Sequence, residues 1–368
     1  MKRAHHVGLV VGLIAVSTAV WVARDAVSTR RSTDSFALAS TLASRIVTDE
    51  TAPALDPTVY RHVSRVVWVV SDLDRVVDYW QKLGIRDLHR DGVVAFPNLT
   101  YRGQPDAASV KRIVGRAEGL EFEWIQPISG GQFWSAGLRE HGDGIRAIGY
   151  NVRTPQEFDG QIKYFASKGV GVVCAGDWQG QKGRGRFAYL DTAKQGGGNT
   201  LALIDDPDAQ PALSADSSRN EYPLTQITHF AWVVRDVREV DAYYARLGFK
   251  HFSSIDHNIS LDRVYRNQPG TYEMWLGWDR SGDAPFEWVQ QITGPDIYVE
   301  YLAKHGEGFH HLGVTVTDMD EAIKLMTARG APPSQTAAWN TPKGKGRAVY
   351  VDTEPYGGVT LELIYNPH

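Results

Sequence analysis

Thr228-His229-Phe230-Ala231-Trp232-Val233-Val234-Arg235-Asp236 alternates small or polar residues with large apolar ones, the two-residue period of a strand with two unlike faces. The same text stands 164 residues earlier as Ser64-Arg65-Val66-Val67-Trp68-Val69-Val70-Ser71-Asp72. At that offset Phe122-Glu123-Trp124 meets Phe286-Glu287-Trp288, and His141-Gly142-Asp143-Gly144-Ile145-Arg146-Ala147 meets His305-Gly306-Glu307-Gly308-Phe309-His310-His311. The offset then shortens slightly. Lys182-Gly183-Arg184-Gly185-Arg186 meets Lys343-Gly344-Lys345-Gly346-Arg347, and Leu201-Ala202-Leu203 meets Leu361-Glu362-Leu363. The chain is a tandem repeat.

The repeat divides the 368 residues into a first domain over 58–207 and a second over 222–368, each long enough to bury its own core. In the second copy, Gln226 to Val234 reads as a strand and Val237 to Leu247 as a helix stopped by Gly248. Strand-like runs follow at Ser260 to Tyr265, Tyr272 to Trp278 and Phe286 to Ile292. The pattern then restarts with a strand over His310 to Val316 and a helix over Met319 to Ala328, ended by Gly330. Strands around Pro333 to Ala338, Ala348 to Val351 and Val359 to Ile364 complete it. Each copy is thus expected to be two β-α-β-β-β modules, an α+β fold whose helices cover one sheet face while the other curls into a cup.

A net charge of −4 and a pI near 6.3, without a basic stripe, argue against a nucleic-acid partner. The single Cys174 excludes an intrachain disulfide and a thiolate-rich metal site. Residues 1–35 open with Met1-Lys2-Arg3, continue uncharged from Val7 to Ala23 and return to Arg24, Arg30 and Arg31, the order of a signal peptide or N-terminal anchor. Export is therefore expected, with membrane attachment only through that segment and a cytoplasmic location as the alternative. Residues 36–57 read as a linker, as does the polar run from Asp205-Asp206-Pro207 to Asn220. Four modules already pair within one chain, so a monomer or a homodimer is expected.

Strand parity decides which residues face the cup. If His229 points inward, Ala231 and Val233 do too, while Phe230, Trp232 and Val234 pack outward against the helix. By the same count Glu287, His311 and Glu362 face inward, and His310 outward. Two imidazoles and two carboxylates from four strands suit a borderline divalent ion with open positions. Four such groups in one cup would otherwise leave buried charge unpaired. The first copy carries Arg65, Glu123, Ala147 and Ala202 at the same positions, so one ion per chain is expected, with Arg65 pairing with Glu123 in its place.

The strand entry at Thr228, the turn Gly308-Phe309-His310-His311-Leu312-Gly313 and the ending Gly358-Val359-Thr360-Leu361-Glu362-Leu363-Ile364 resemble the vicinal-oxygen-chelate superfamily. That group includes glyoxalase I, methylmalonyl-CoA epimerase, bleomycin-resistance proteins and extradiol dioxygenases. The resemblance runs twice through 60–368, and the paired histidines look closest to the epimerase and glyoxalase branch. It implies that His229, Glu287, His311 and Glu362 hold one divalent ion, with Ni, Co, Zn, Mn and Fe not distinguished. It implies an isomerase, epimerase or lyase that acts on a small carbonyl compound through a metal-stabilised enolate. Glu362 would serve as ligand and base. Glu273, replaced by Lys111 in the first copy, is a second acid/base candidate. Trp275 is expected to line the pocket and Tyr350 to donate a hydrogen bond to substrate. Two other readings stay open. One is an extradiol-type non-haem iron dioxygenase using two His and one Glu, and the other is a protein that sequesters a small molecule. Export would argue against glutathione and CoA thioesters as substrates. The basic glycine-rich segments Lys182 to Arg186 and Lys343 to Arg347 read as loops before a strand.

Overall fold

The computed structural model of the chain describes residues 58–209 and 226–367. The expected export segment, the linker 36–57 and most of the connection between copies lie outside the described residues.

Each copy forms one mixed sheet of ten strands. In the first these are β1 (Arg65–Val69), β2 (Arg86–Phe96), β3 (Thr100–Tyr101), β4 (Gln104–Pro105), β5 (Ala108–Ala117), β6 (Leu120–Ser129), β7 (Gly144–Asn151), β8 (Val172–Gln179), β9 (Arg184–Leu190) and β10 (Thr200–Asp205). The second repeats them as β11 (Ile227–Val233), β12 (Lys250–Asn258), β13 (Leu261–Tyr265), β14 (Gln268–Pro269), β15 (Glu273–Ser281), β16 (Ala284–Thr293), β17 (Gly308–Thr315), β18 (Pro333–Thr341), β19 (Gly344–Val351) and β20 (Thr360–Tyr365). The helices are α1 (Leu73–Gln81), α2 (Gln132–His141), α3 (Pro155–Ser167), α4 (Val237–Arg246), α5 (Ile297–His305) and α6 (Met319–Ala328). The second sheet runs β12-β15-β16-β11-β17-β20-β19-β18-β13-β14, and the first has the same order. Its two modules meet at the antiparallel pair β11–β17.

The stretch that announces the repeat also starts the helix that follows it. Asp72 caps α1 by accepting from the Arg75 N–H, and Asp236 caps α4 by accepting from the Arg238 and Glu239 N–H groups. The outward residues Phe230, Trp232 and Val234 pack with Val237, Val240 and Tyr244 of that helix region, as parity predicts. Val233 and Val289 join a separate cluster on the cup side.

The two copies share a core on their helix-covered faces and exchange equivalent contacts. Trp68 and Trp80 donate their indole N–H groups to the carbonyls of Gly357 and Tyr356 in the second copy. Tyr244, which stands where Trp80 does in the first copy, points its hydroxyl at the carbonyls of Gly196 and Asn199. His141 and His305 reach for each other's backbone carbonyls, at 2.7 and 2.6 Å.

Four sequence expectations change. The first module of the second copy uses β12, which the sequence reading passed over, because Lys250–Asn258 is an edge strand that is largely exposed and has no alternating apolar face. The run Ser260 to Tyr265 instead supplies β13, which crosses to pair with β18 of the other module and closes the curl of the sheet. Helices α2 and α5, unexpected links between modules, lie on the cup side. Ile297, Tyr298 and Tyr301 of α5 pack with Val233, Val289 and Tyr350. The basic glycine-rich segments are mostly strand. Gly185 and Gly346 lie beneath Trp178 and Trp339, where a Cβ would come within 2.3 Å of the indole. Arg186, Lys345 and Arg347 are spent on ion pairs with Asp205, Asp262 and Asp320.

Candidate metal centre

Strands β16, β11, β17 and β20 are neighbours at the middle of the second sheet, and each contributes one ionisable side chain to the cup. These are Glu287, His229, His311 and Glu362, all buried. His229 stands across from Gly313, which in turn stands across from Glu362, while Ala231 lies between Glu287 and His311. Small residues at the intervening positions let the four longer side chains lean together. A Cβ on Gly313 would fall 2.1 Å from His229 Cε1, so glycine is what permits the imidazole to lie over the neighbouring strand.

His229 Nε2 lies 3.5 Å from Glu287 Oε2 and 3.1 Å from Glu362 Oε2. His311 Nε2 lies 3.2 and 3.5 Å from the same two oxygens. The two Nε2 atoms are 3.2 Å apart. Donors held at about 2.1 Å from one ion stand roughly 3.0 Å apart at right angles and roughly 3.4 Å apart at tetrahedral angles. Three of the five measured spacings fall in that range, and the two at 3.5 Å lie just above it. Both Oε2 atoms are buried without a hydrogen bond, which is costly unless something positive stands between them. The four residues thus fit a divalent cation bound through Nε2 and Oε2.

Electrostatics point the same way. Burial opposes charge on His311, but Glu287 and Glu362 outweigh it and lift the imidazole to about 9. Burial likewise opposes charge on Glu362, yet His229 and His311 hold its carboxyl well below the usual range. A cation would displace the imidazole proton and take over its role. Thr228 Oγ1 is 3.0 Å from His229 Nδ1, and His310 Nδ1 is 2.9 Å from His311 Nδ1. These contacts orient the ring edges remote from the centre.

His310 is not outward, contrary to the strand count. Ala231 pairs with His311 and Trp232 with Phe309, so His310 is the extra residue of a β-bulge and turns toward Tyr298 and Tyr301 of α5. Tyr350 faces the cup as expected, its ring 5.2 Å from that of His311 and its backbone paired with Glu362. Tyr298, 6.5 Å from His311, and Trp278, 5.0 Å from His229, complete the wall. Sequence parity alone could have found Trp278. Tyr298 sits on a helix that the sequence reading did not anticipate. Burial, reinforced by Glu287 and Glu362, pushes the phenols of Tyr298 and Tyr350 well above their usual range, so both stay protonated.

Glu273 and Trp275 do not join the site. The cup-facing residues of β15 are Met274 and Leu276, with Trp278 beside His229, and Glu273 and Trp275 have the opposite parity. Trp275 lies under the Arg238 guanidinium of α4 and donates to Ser254 Oγ. Glu273 pairs with His257 near the sheet edge, opposite Thr293, roughly 20 Å along the strand direction from Glu287. Its counterpart in the first copy is Ser109 rather than Lys111, by strand register. A second acid-and-imidazole group, Asp241, His251 and Asp279, lies between α4 and the outer strands. Its buried Asp279 already accepts the Trp288 indole N–H and holds the partly exposed His251.

The first cup has a different centre. Arg65 is buried, but its strongest partners are Glu121 and Asp206, at 2.7 and 2.8 Å, with Glu123 more distant at 3.8 Å. Burial opposes its charge, while those three carboxylates keep its pKa above the usual value. Glu123 is instead held at 2.5 Å by Arg112, a residue the sequence reading did not single out. Arg112 stands where Leu276 does in the second copy. Ala147 and Ala202 are buried and offer no ligand.

The family described as Glyoxalase/Bleomycin resistance protein/Dioxygenase superfamily matches residues 64–189 and 228–351. Among solved structures, a triple mutant of 4-hydroxymandelate synthase from Streptomyces coelicolor aligns with a TM-score of 0.57 at 16% identity, over 83% of this chain and 92% of that one. The Mn(II)-bound glyoxalase from Novosphingobium aromaticivorans aligns at 0.48 and 14% identity, over 84% and 83%. A variant of homoprotocatechuate 2,3-dioxygenase from B. fuscum, in complex with HPCA, aligns at 0.46 and 12% identity, over 88% and 74%. At 16% identity the likeness to the synthase is one of fold. No curated protein matches the sequence.

Proposed function

Because the chain belongs to the Glyoxalase/Bleomycin resistance protein/Dioxygenase superfamily, we propose that its second copy is a one-metal enzyme that moves a proton next to the carbonyl of a small apolar or aromatic substrate. The observation that carries this reading is the facing of two buried carboxylates on the same two imidazole nitrogens, all spaced for one centre. A divalent ion bound there supplies Lewis acidity, polarising the carbonyl so that the adjacent C–H becomes acidic. His229, His311 and Glu287 hold the centre, and Glu362 either ligates or takes the proton. Tyr350, kept as a phenol, donates a hydrogen bond to the substrate oxygen as negative charge grows there. Met274, Leu276 and Trp278 give the cup an apolar wall that excludes water. The reaction class is isomerase, epimerase or lyase.

A second reading rests on His229, His311 and Glu362, which lie on three adjacent strands and by themselves form a two-imidazole, one-carboxylate set suited to non-haem iron and oxygen. The deciding experiment is anaerobic deuterium exchange at the carbon next to a carbonyl, run beside oxygen-uptake assays on catechols. Exchange without uptake supports proton transfer, whereas iron-dependent uptake without exchange reverses the order.

The proposal includes export through residues 1–35, which would separate the enzyme from cytosolic thioesters. Sequencing that finds Met1 intact on cytosolic protein refutes that part.

A further inference from the structure

We propose that the metal-free first cup is a second binding site, for an uncharged aromatic molecule bearing a carbonyl or hydroxyl oxygen. The inference does not rest on the metal reading of the second cup. A cavity of about 370 Å³ opens there, lined by Arg65, Arg112 and Glu123 at one end and by Phe96, Trp134 and Trp178 among its ring-bearing walls. That volume lies at the small end of the range for ligand pockets and is far larger than the voids left by imperfect packing.

The polar end has donors left over. Arg65 uses Nε and Nη2 on Glu121 and Asp206, and its Nη1 comes no nearer than 3.8 Å to Glu123. Arg112 uses Nε on Glu123 and Nη1 on Asp91, and its Nη2 makes no hydrogen bond to the described residues. A guanidinium carries five N–H groups, so both arginines keep some for an acceptor in the cavity. The acceptor's charge follows from the neighbours. Glu121, Glu123, Asp91 and Asp206 surround Arg65, Arg112 and Arg116, so carboxylates already outnumber guanidiniums. An anionic ligand would meet net repulsion. A neutral oxygen accepts the spare N–H groups without it, and the ring of the same molecule stacks in the aromatic end. Strand register underlines the specialisation, because Arg112 replaces the apolar Leu276 of the second copy.

Titration calorimetry of the full chain tests this with three probes of similar size: acetophenone, benzoate and benzylamine. The wild type and the His311→Ala variant are both expected to bind acetophenone at the first cup, and benzoate and benzylamine at least tenfold more weakly. Arg112→Leu, which installs the residue of the other copy, should weaken acetophenone at least tenfold. Ala95→Trp, at an exposed position on the cavity lining, should do the same without touching the ion pairs. The proposal is overturned by tighter binding of benzoate. It is equally overturned if the His311→Ala protein shows no saturable acetophenone binding, or if binding survives both Arg112→Leu and Ala95→Trp.

Discussion

Gly313 stands directly across the β11–β17 pair from His229, and the space a Cβ would need there is filled by the His229 imidazole. A residue with no chemistry of its own therefore sets the position of a candidate ligand. Gly313→Ala is expected to push the ring off the centre and weaken divalent-metal binding about ten- to hundredfold. Metal content after dialysis, with circular dichroism to confirm folding, reads this out. Unchanged metal content would refute the positioning role.

One ion per chain is expected, since the first copy retains only Glu123 of the four positions. A divalent ion at about a hundred times its dissociation constant should stabilise the wild type by about 2.7 kcal/mol. His311→Ala should abolish that response. Thermal melts with and without metal, alongside elemental analysis, check it, and two ions per chain would contradict it.

Tyr350→Phe should lower turnover about ten- to a hundredfold with little change in metal content, because the phenol acts on substrate rather than on the ion. The exchange assay described above measures it. A loss of metal in this variant would instead make Tyr350 a structural support of His311.

Glu354 joins α5 to the loop that meets the first copy. Its bond to His305 holds the carboxyl down at about 2 against the opposing effect of burial, with Lys304 adding to the pull. The folded state therefore favours the ionised form. That stabilisation is complete above about pH 5 and is lost as pH falls through 2. Discounted for partial exposure, it is about 1–2 kcal/mol. The stability gap between wild type and Glu354→Gln should be full at pH 6, shrink steadily below about pH 4 and be largely closed only at about pH 2 and below, as followed by denaturant unfolding.

Glu118 behaves in the opposite sense. Burial raises it to about 7, although it accepts the Ile227 N–H of the second copy. The folded state favours the protonated acid, so its contribution is intact below about pH 4.5 and is lost as pH rises through 7. Glu118→Gln is expected to match the wild type at pH 4.5 and to exceed it by about 1–2 kcal/mol at pH 8. Equal stability at both values would refute this.

Much of this molecule was legible in the chain because duplication and strand parity are local. The repeat located both copies, and the alternation around His229 and Glu287 correctly separated cup from core. The same rule failed at His310, where a bulge adds a residue and parity stops counting. It also does not place Glu273 and Trp275, because their face depends on the register of β15 against β16, which is a tertiary property. Strand β12 escaped notice because an exposed edge strand needs no apolar face, and β13 was assigned to the wrong module because its partner is distant in sequence.

By itself, the sequence determined that the chain is two copies of one fold and that only the second keeps two imidazoles and two carboxylates at matched positions. The rest depended on how strands separated by up to a hundred residues lie side by side. Only the tertiary structure set the four donor atoms at the spacing of a single ion, and only it joined Arg112 to Glu123 in the other cup. The physical reason is that a side chain's face follows from its own strand, whereas a distance between side chains depends on register, bulges and the room left by neighbours such as Gly313.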